Sequence, residues 1–154
     1  KAIAWKQCNF RSPAKPAKLL DKLSFSSFNK SYDKPYQWLT RDQKIIDEYI
    51  DDPYCGGVFS SSFYYNFFSG LLHVNQLNKA KKIAKDLPIL FVSGDKDPVG
   101  NYGKGVKQAV EFYKKARLSN IDVKLYPEAR HEILNEINKD EVYNDILNWI
   151  TKHL

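Results

Sequence analysis

"LPILFVSGDKDPVG", residues 87–100, decides the fold class. Its first part is a short unbroken apolar run, closed by a Ser-Gly turn and two aspartates. A run of that length bounded by turn residues reads as a strand covered on both faces, as in a parallel sheet. Downstream, "KGVKQAVEFYKKA" (104–116) sets Val106, Ala109, Val110 and Tyr113 on one side of a helix. "IDVKLY" (121–126) alternates Ile121, Val123 and Leu125 against Asp122, Lys124 and Tyr126, the period of a strand with one drier face. "DEVYNDILNWITKHL" (140–154) closes as a helix with Val142, Ile146, Trp149 and Ile150 inward. Strand, helix, strand, helix is an α/β unit with an expected right-handed crossover. Its sheet is incomplete, because the 88–92 run needs a neighbour on each side and the sequence offers one.

Upstream the style differs, and the expected division is a mainly helical, cap-like region over 1–85 followed by the α/β part over 86–154. The first thirty-odd residues are rich in Pro, Ser, Lys and aromatics and read as irregular, with one short helix near 16–23. "TRDQKIIDEYIDDP" (40–53) predicts a helix capped by Thr40, striped with Ile45, Ile46, Tyr49 and Ile50, and stopped by Pro53. "YCGG" is a turn, and 60–85 reads as helical again.

The chain has 154 residues, 43% of them hydrophobic and 14% aromatic, enough for a core in about one domain. The formal net charge of +6 is spread at helix-surface spacing and not gathered in a block, which argues against a nucleic-acid partner. Cys8 and Cys55 form neither a CxxC pair nor a ligand cluster with the three histidines, so neither zinc nor a disulfide framework is expected. No apolar run approaches the roughly 20 residues of a membrane span and no signal-peptide pattern is present, so a cytoplasmic location is expected. The sequence contains no methionine, which suggests a piece of a longer polypeptide.

In open α/β sheets chemistry gathers beyond the carboxyl ends of the strands. "SGDKDPVG" leaves the first strand there and "PEARHE" leaves the second. A carboxylate and an imidazole would thus emerge one strand spacing apart, an arrangement in which the carboxylate fixes the tautomer of the histidine and steadies its cation. His73 reads as a core residue of an apolar helix, and His153 as a helix-dipole partner at a C-terminus.

"PILFVSGDKDPVGNYGKGV", "LYPEARHEILNE" and "EVYNDILNWI" together resemble the C-terminal half of an α/β-hydrolase of the lysophospholipase, monoacylglycerol lipase and serine aminopeptidase-like subgroup. "KLLDKLSFSSFN", "WLTRD" and "DPYCGGVFSSSFYYNFFSGL" are similar to the cap inserted in that fold. The resemblance implies Asp97 as the triad acid, counted from Gly94, and His131 as the base. Asp95 is then a turn carboxylate, Pro98 stiffens the loop, Gly100 turns it away, and Glu132, Asn135 and Glu136 fix the element that presents the histidine. No metal or cofactor is implied.

The family nucleophile is a serine in G-x-S-x-G that precedes the acid and the base in chain order. That motif is absent here, and Cys55 lacks an activating context. The serine and the oxyanion hole are therefore expected upstream of Lys1, and this chain alone is expected to be inactive. The resemblance implies a small ester or monoacyl lipid as substrate, with Phe59, Phe63, Tyr64 and Phe67 either as acyl-chain contacts or as packing of the cap on the main domain, and Arg41 either near a polar head group or in a helix-start ion pair. An aminopeptidase-like hydrolase and a non-catalytic binding module are the other readings. The unpaired sheet edge is expected to promote self-association.

Overall fold

The computed structural model describes residues 1–10 and 12–154. Its centre is a two-stranded parallel sheet, β1 (Ile89–Gly94) and β2 (Ile121–Tyr126), in register from Ile89 opposite Ile121 to Gly94 opposite Tyr126. Between them runs helix α6 (Lys104–Lys115), entered through Gly103 at φ +78°, and helix α7 (Lys139–Lys152) follows. The fold is α/β.

Side chains alternate across the two strands, so each face finds its own helix. Ile89 and Ile121 pack with Phe112, Tyr113 and Ala116 at the α6 side, joined by Ala80 and Ile83. Val92 and Tyr126 pack with Ala129, Ile133, Val142 and Ile146 at the α7 side. This corrects two expectations. The period of β2 separates one helix from the other and does not separate core from water: Tyr126 is fully buried while Val123 is exposed. Residues 89–92 of β1, whose run predicts full cover, are all half-buried, because one flank of the strand has no neighbour among the described residues. Ile150 of α7 is also exposed; Val142 and Ile146 carry that contact.

The amino-terminal region is more helical than its Pro/Ser composition suggests. Helices α1 (Ala2–Phe10) and α2 (Lys18–Phe25) precede a short 3-10 turn (Phe28–Ser31). Ala4, Ala17, Leu20 and Tyr64 make a small core with helix α4 (Ser61–Val74), supported by Phe25, Tyr65 and Phe68. Helix α3 (Gln43–Asp51) buries Ile46, but Ile50 faces water. Its cap is Asp42, whose carboxylate accepts from the Lys44 N–H at 3.0 Å, and not Thr40, whose hydroxyl accepts from the Asp42 N–H at 3.0 Å and donates to Asn135 O. The helical reading of 60–85 holds only to Val74, where α4 ends; one further turn, α5 (Leu77–Ala80), follows. No helix among the described residues is long and apolar enough to cross a membrane.

Candidate active site

The two loops beyond the sheet are continuations of its ladder. Past the strand ends, the Asp95 N–H donates to Tyr126 O at 3.0 Å and the Lys96 N–H to Ala129 O at 2.9 Å. Asp95 then clasps the other loop, accepting from the Glu128 N–H at 2.7 Å, while Lys96 pairs with Glu128 at 3.2 Å. Glu128 sits at φ +60° as the third residue of a turn led by Pro127. The loops approach so closely that a Cβ on Gly94 would stand 2.0 Å from the Ala129 carbonyl oxygen. Only glycine fits there.

That clasp brings Asp97 to His131. Asp97 is buried, and its Oδ2 accepts from His131 Nδ1 at 3.2 Å. Its Oδ1 accepts from the Val99 N–H at 2.8 Å. An ionised carboxylate only accepts, so Nδ1 carries the proton and Nε2 is left as the basic nitrogen. Gly100 makes room, since a Cβ there would lie 3.0 Å from Asp97 Oδ2. Burial alone raises the Asp97 pKa. The hydrogen bond and charge of His131, with the Val99 and Gly100 N–H groups, outweigh it and hold the carboxyl below its ordinary value. For His131 the hydrogen bond to Asp97 leads and burial opposes it; with the Asp97 and Glu132 charges the net direction is upward from 6.5.

The imidazole also lies against Trp38, ring centroids 5.4 Å apart, and its backbone N–H donates to Trp38 O at 3.3 Å. It opens on a cavity of about 710 Å³ walled by Phe25, Asn29, Tyr36, Trp38, Tyr49, Cys55 and Phe59. Of the side chains expected at the substrate, Phe59 alone lines this cavity. Phe63 stacks on Phe59 at 4.1 Å and Phe67 on Phe63 at 5.7 Å, both partly exposed and outside it. Tyr64 is buried in the α1–α2–α4 core, its hydroxyl donating to Asp21 at 3.1 Å. The Arg41 guanidinium is taken up by Glu136 at 2.8 Å and Asn138 at 2.8 Å. Helical spacing marks these residues as apolar or charged without saying which side of the element they serve. Trp38 and Tyr49 were noticed only as part of a cap-like motif and of a helix stripe, and Tyr36 not at all, because nothing local says that the three wall one cavity.

Cys55 stands on the cavity wall, but burial and the neighbouring Asp52 push its thiol pKa up, away from the thiolate a nucleophile needs. His73, expected in a core, lies exposed beside Lys79. His153 ends α7, its Nδ1 at 2.8 Å from Trp149 O, as a C-terminal histidine should. Among the described residues no group of three or more His, Cys, Asp or Glu is arranged to hold a metal ion.

The family described as serine aminopeptidase, S33, matches residues 3–138, most of the chain and both site loops. The chain belongs to this S33 family. The relatives it resembles include the monoacylglycerol lipase of Mycolicibacterium smegmatis, 28% identical over 119 residues, which covers 75% of this chain and 39% of that protein. Monoglyceride lipase of Saccharomyces cerevisiae is 33% identical over 86 residues, covering 53% of this chain and 26% of that one. A thermostable carboxyl esterase from Bacillus coagulans superposes with a TM-score of 0.84 at 22% identity, over 98% of this chain and 50% of the esterase. That likeness places this S33 member in the α/β-hydrolase fold. The chain spans half the esterase, and 39% and 26% of the two curated lipases.

Proposed function

We propose that the polypeptide carrying this chain is a serine hydrolase of carboxylic esters, with monoacyl lipids as the favoured substrates. His131 is its base and Asp97 its orienting acid. Residues 1–85 act as the cap over the site and 86–154 as the carboxyl-terminal part of the hydrolase core. The observation that carries this reading is the Asp97–His131 contact, with the imidazole at the edge of a cavity whose wall combines aromatic side chains with Asp21, Lys22 and Glu132. A volume of about 710 Å³ lies within the range of small-molecule sites and suits an acyl chain.

In the proposed reaction a serine upstream of Lys1 attacks the ester carbonyl. His131 takes the serine proton on Nε2 and later gives it to the leaving alcohol, while Asp97 steadies the imidazolium. The partial span of the relatives supports an upstream nucleophile and oxyanion hole. Removing even one oxyanion donor costs about 10²–10³ in rate, so this chain alone should be silent. The test is hydrolysis of p-nitrophenyl butyrate and a monoacylglycerol by the longer polypeptide, by its His131→Ala variant and by this chain. Activity in the first alone supports the proposal, and turnover by this chain that His131→Ala abolishes overturns the upstream nucleophile. The family description favours one competing reading, peptide-amide hydrolysis. Aminoacyl p-nitroanilides cleaved faster than esters would establish it.

A further inference from the structure

A buried carboxylate ties the histidine loop to the cavity wall and has no part in the proton chemistry. Glu136 is 0% exposed. Its Oε1 accepts from the Arg130 N–H at 2.7 Å and the Arg41 N–H at 3.3 Å; its Oε2 accepts from Arg41 Nε at 2.8 Å and the Ile137 N–H at 3.2 Å. A carboxylate offers about four acceptor positions, and here each has a donor. The donors come from two places far apart in sequence, the 130–137 loop and segment 37–41.

The same two segments are laced together around it. The Glu132 N–H donates to Leu39 O at 2.7 Å, Thr40 Oγ1 donates to Asn135 O at 2.8 Å, and the Arg130 guanidinium donates to Thr40 O at 2.9 Å and to Gln37 O. Segment 37–41 carries Trp38, whose ring packs against His131 at a tilt of 42° and walls the cavity. Asp97 fixes one ring nitrogen of His131 but leaves the ring free to swing about that bond. A large ring packed against it restricts the swing, provided that ring is itself fixed. Burying an ion is costly unless its geometry is fully answered, and an apolar side chain would fill the same space more cheaply.

We infer that Glu136 is a positioning residue for His131, fastening the imidazole and the Trp38 wall into one rigid unit. The inference rests on His131 and its cavity being the working site, but its test does not depend on turnover. Glu136→Gln preserves size and turns one acceptor into a donor facing Arg41 or a backbone N–H. Two signals of the protein are followed by NMR: the titration of His131 and the solvent exchange of the Trp38 indole N–H. That N–H is buried without a hydrogen-bond partner among the described residues, so its exchange reports on how tightly the wall is held. The charged groups facing His131, Asp97 and Glu132, stay unchanged in the variant.

The expected result is that the two signals move together. The His131 midpoint falls toward 6.5 as its contact with Asp97 loosens, and the indole exchanges at least tenfold faster. A generic packing role would lower thermal stability and leave both signals at their wild-type values well below melting, which overturns the inference, as does a change in one signal alone. If Glu136→Gln does not fold, Arg41→Gln decides. It keeps the Glu136 bonds to the loop and loosens those to segment 37–41; both signals must shift in the same directions, and wild-type behaviour overturns the inference. Failure of the hydrolase reading would appear in the turnover assays and leave these signals standing.

Discussion

His131 and Asp97 titrate in opposite directions from their ordinary values, and the sign of each sets a pH window. The His131 pKa is raised, so its contribution to stability is fully present below 6.5 and is lost as pH rises through the folded value. The Asp97 pKa is lowered, so its contribution is present above 3.8 and is lost as pH falls through the folded value. The wild type should therefore gain most over His131→Gln between 3.8 and 6.5, with the gap narrowing on both sides; urea unfolding across pH measures it. Activity runs the other way, because a base must be neutral, so turnover by the longer polypeptide should rise with pH through the raised His131 value. Asp97→Asn should cost on the order of 10⁴ in turnover and lower the NMR midpoint of His131. Gly94→Ala should be disproportionately harmful for one methyl group. Its Cβ meets a backbone carbonyl that cannot step aside, and a loss near the top of the 1–3 kcal/mol overpacking range is expected by denaturant unfolding. Asp97 was named over Asp95 by the family resemblance, while a carboxylate and an imidazole on adjoining loops were legible in the α/β pattern. The tie of Glu136 to Arg41 was not, since 95 residues separate the partners and no local pattern links them.

Helices and strands with their own period were read closely, and the errors fell where a neighbour decides. The α6 stripe is found as written, because amphipathic spacing is a property of the helix itself. The choice between Thr40 and Asp42 as cap was not settled by residue type, as both are good caps. Thr40 is drawn off by Asn135 O, and Asp42 takes the Lys44 N–H. Asp42→Ala should therefore cost about 1 kcal/mol of stability, read by chemical denaturation, through fraying of α3. Thr40→Val should leave α3 intact and loosen the 130–137 loop. Of the early helices, α2 was foreseen near 16–23 and α1 was not, because α1 is short and gains its stability from the small core around Tyr64, more than from propensity.

At the scale of the molecule, the half-buried flank of β1 is where the sequence and the structure together point outward. Four apolar residues in a strand with one partner among the described residues suit a sheet that continues. We expect this chain alone to self-associate through that flank, with light scattering giving a mass above 17.9 kDa that falls when Phe91 is replaced by Lys. A monodisperse 17.9 kDa species at high concentration would count against it.

The rungs that run past the strand tips, from Asp95 to Tyr126 and from Lys96 to Ala129, carry a thermal consequence. Surface turns ordinarily loosen first on warming, yet here the turns bearing Asp97 and His131 are stitched to the ladder of the sheet. They should melt with the sheet and not ahead of it. In the proposed reaction an arriving ester would meet groups already in place, with little ordering entropy left to surrender.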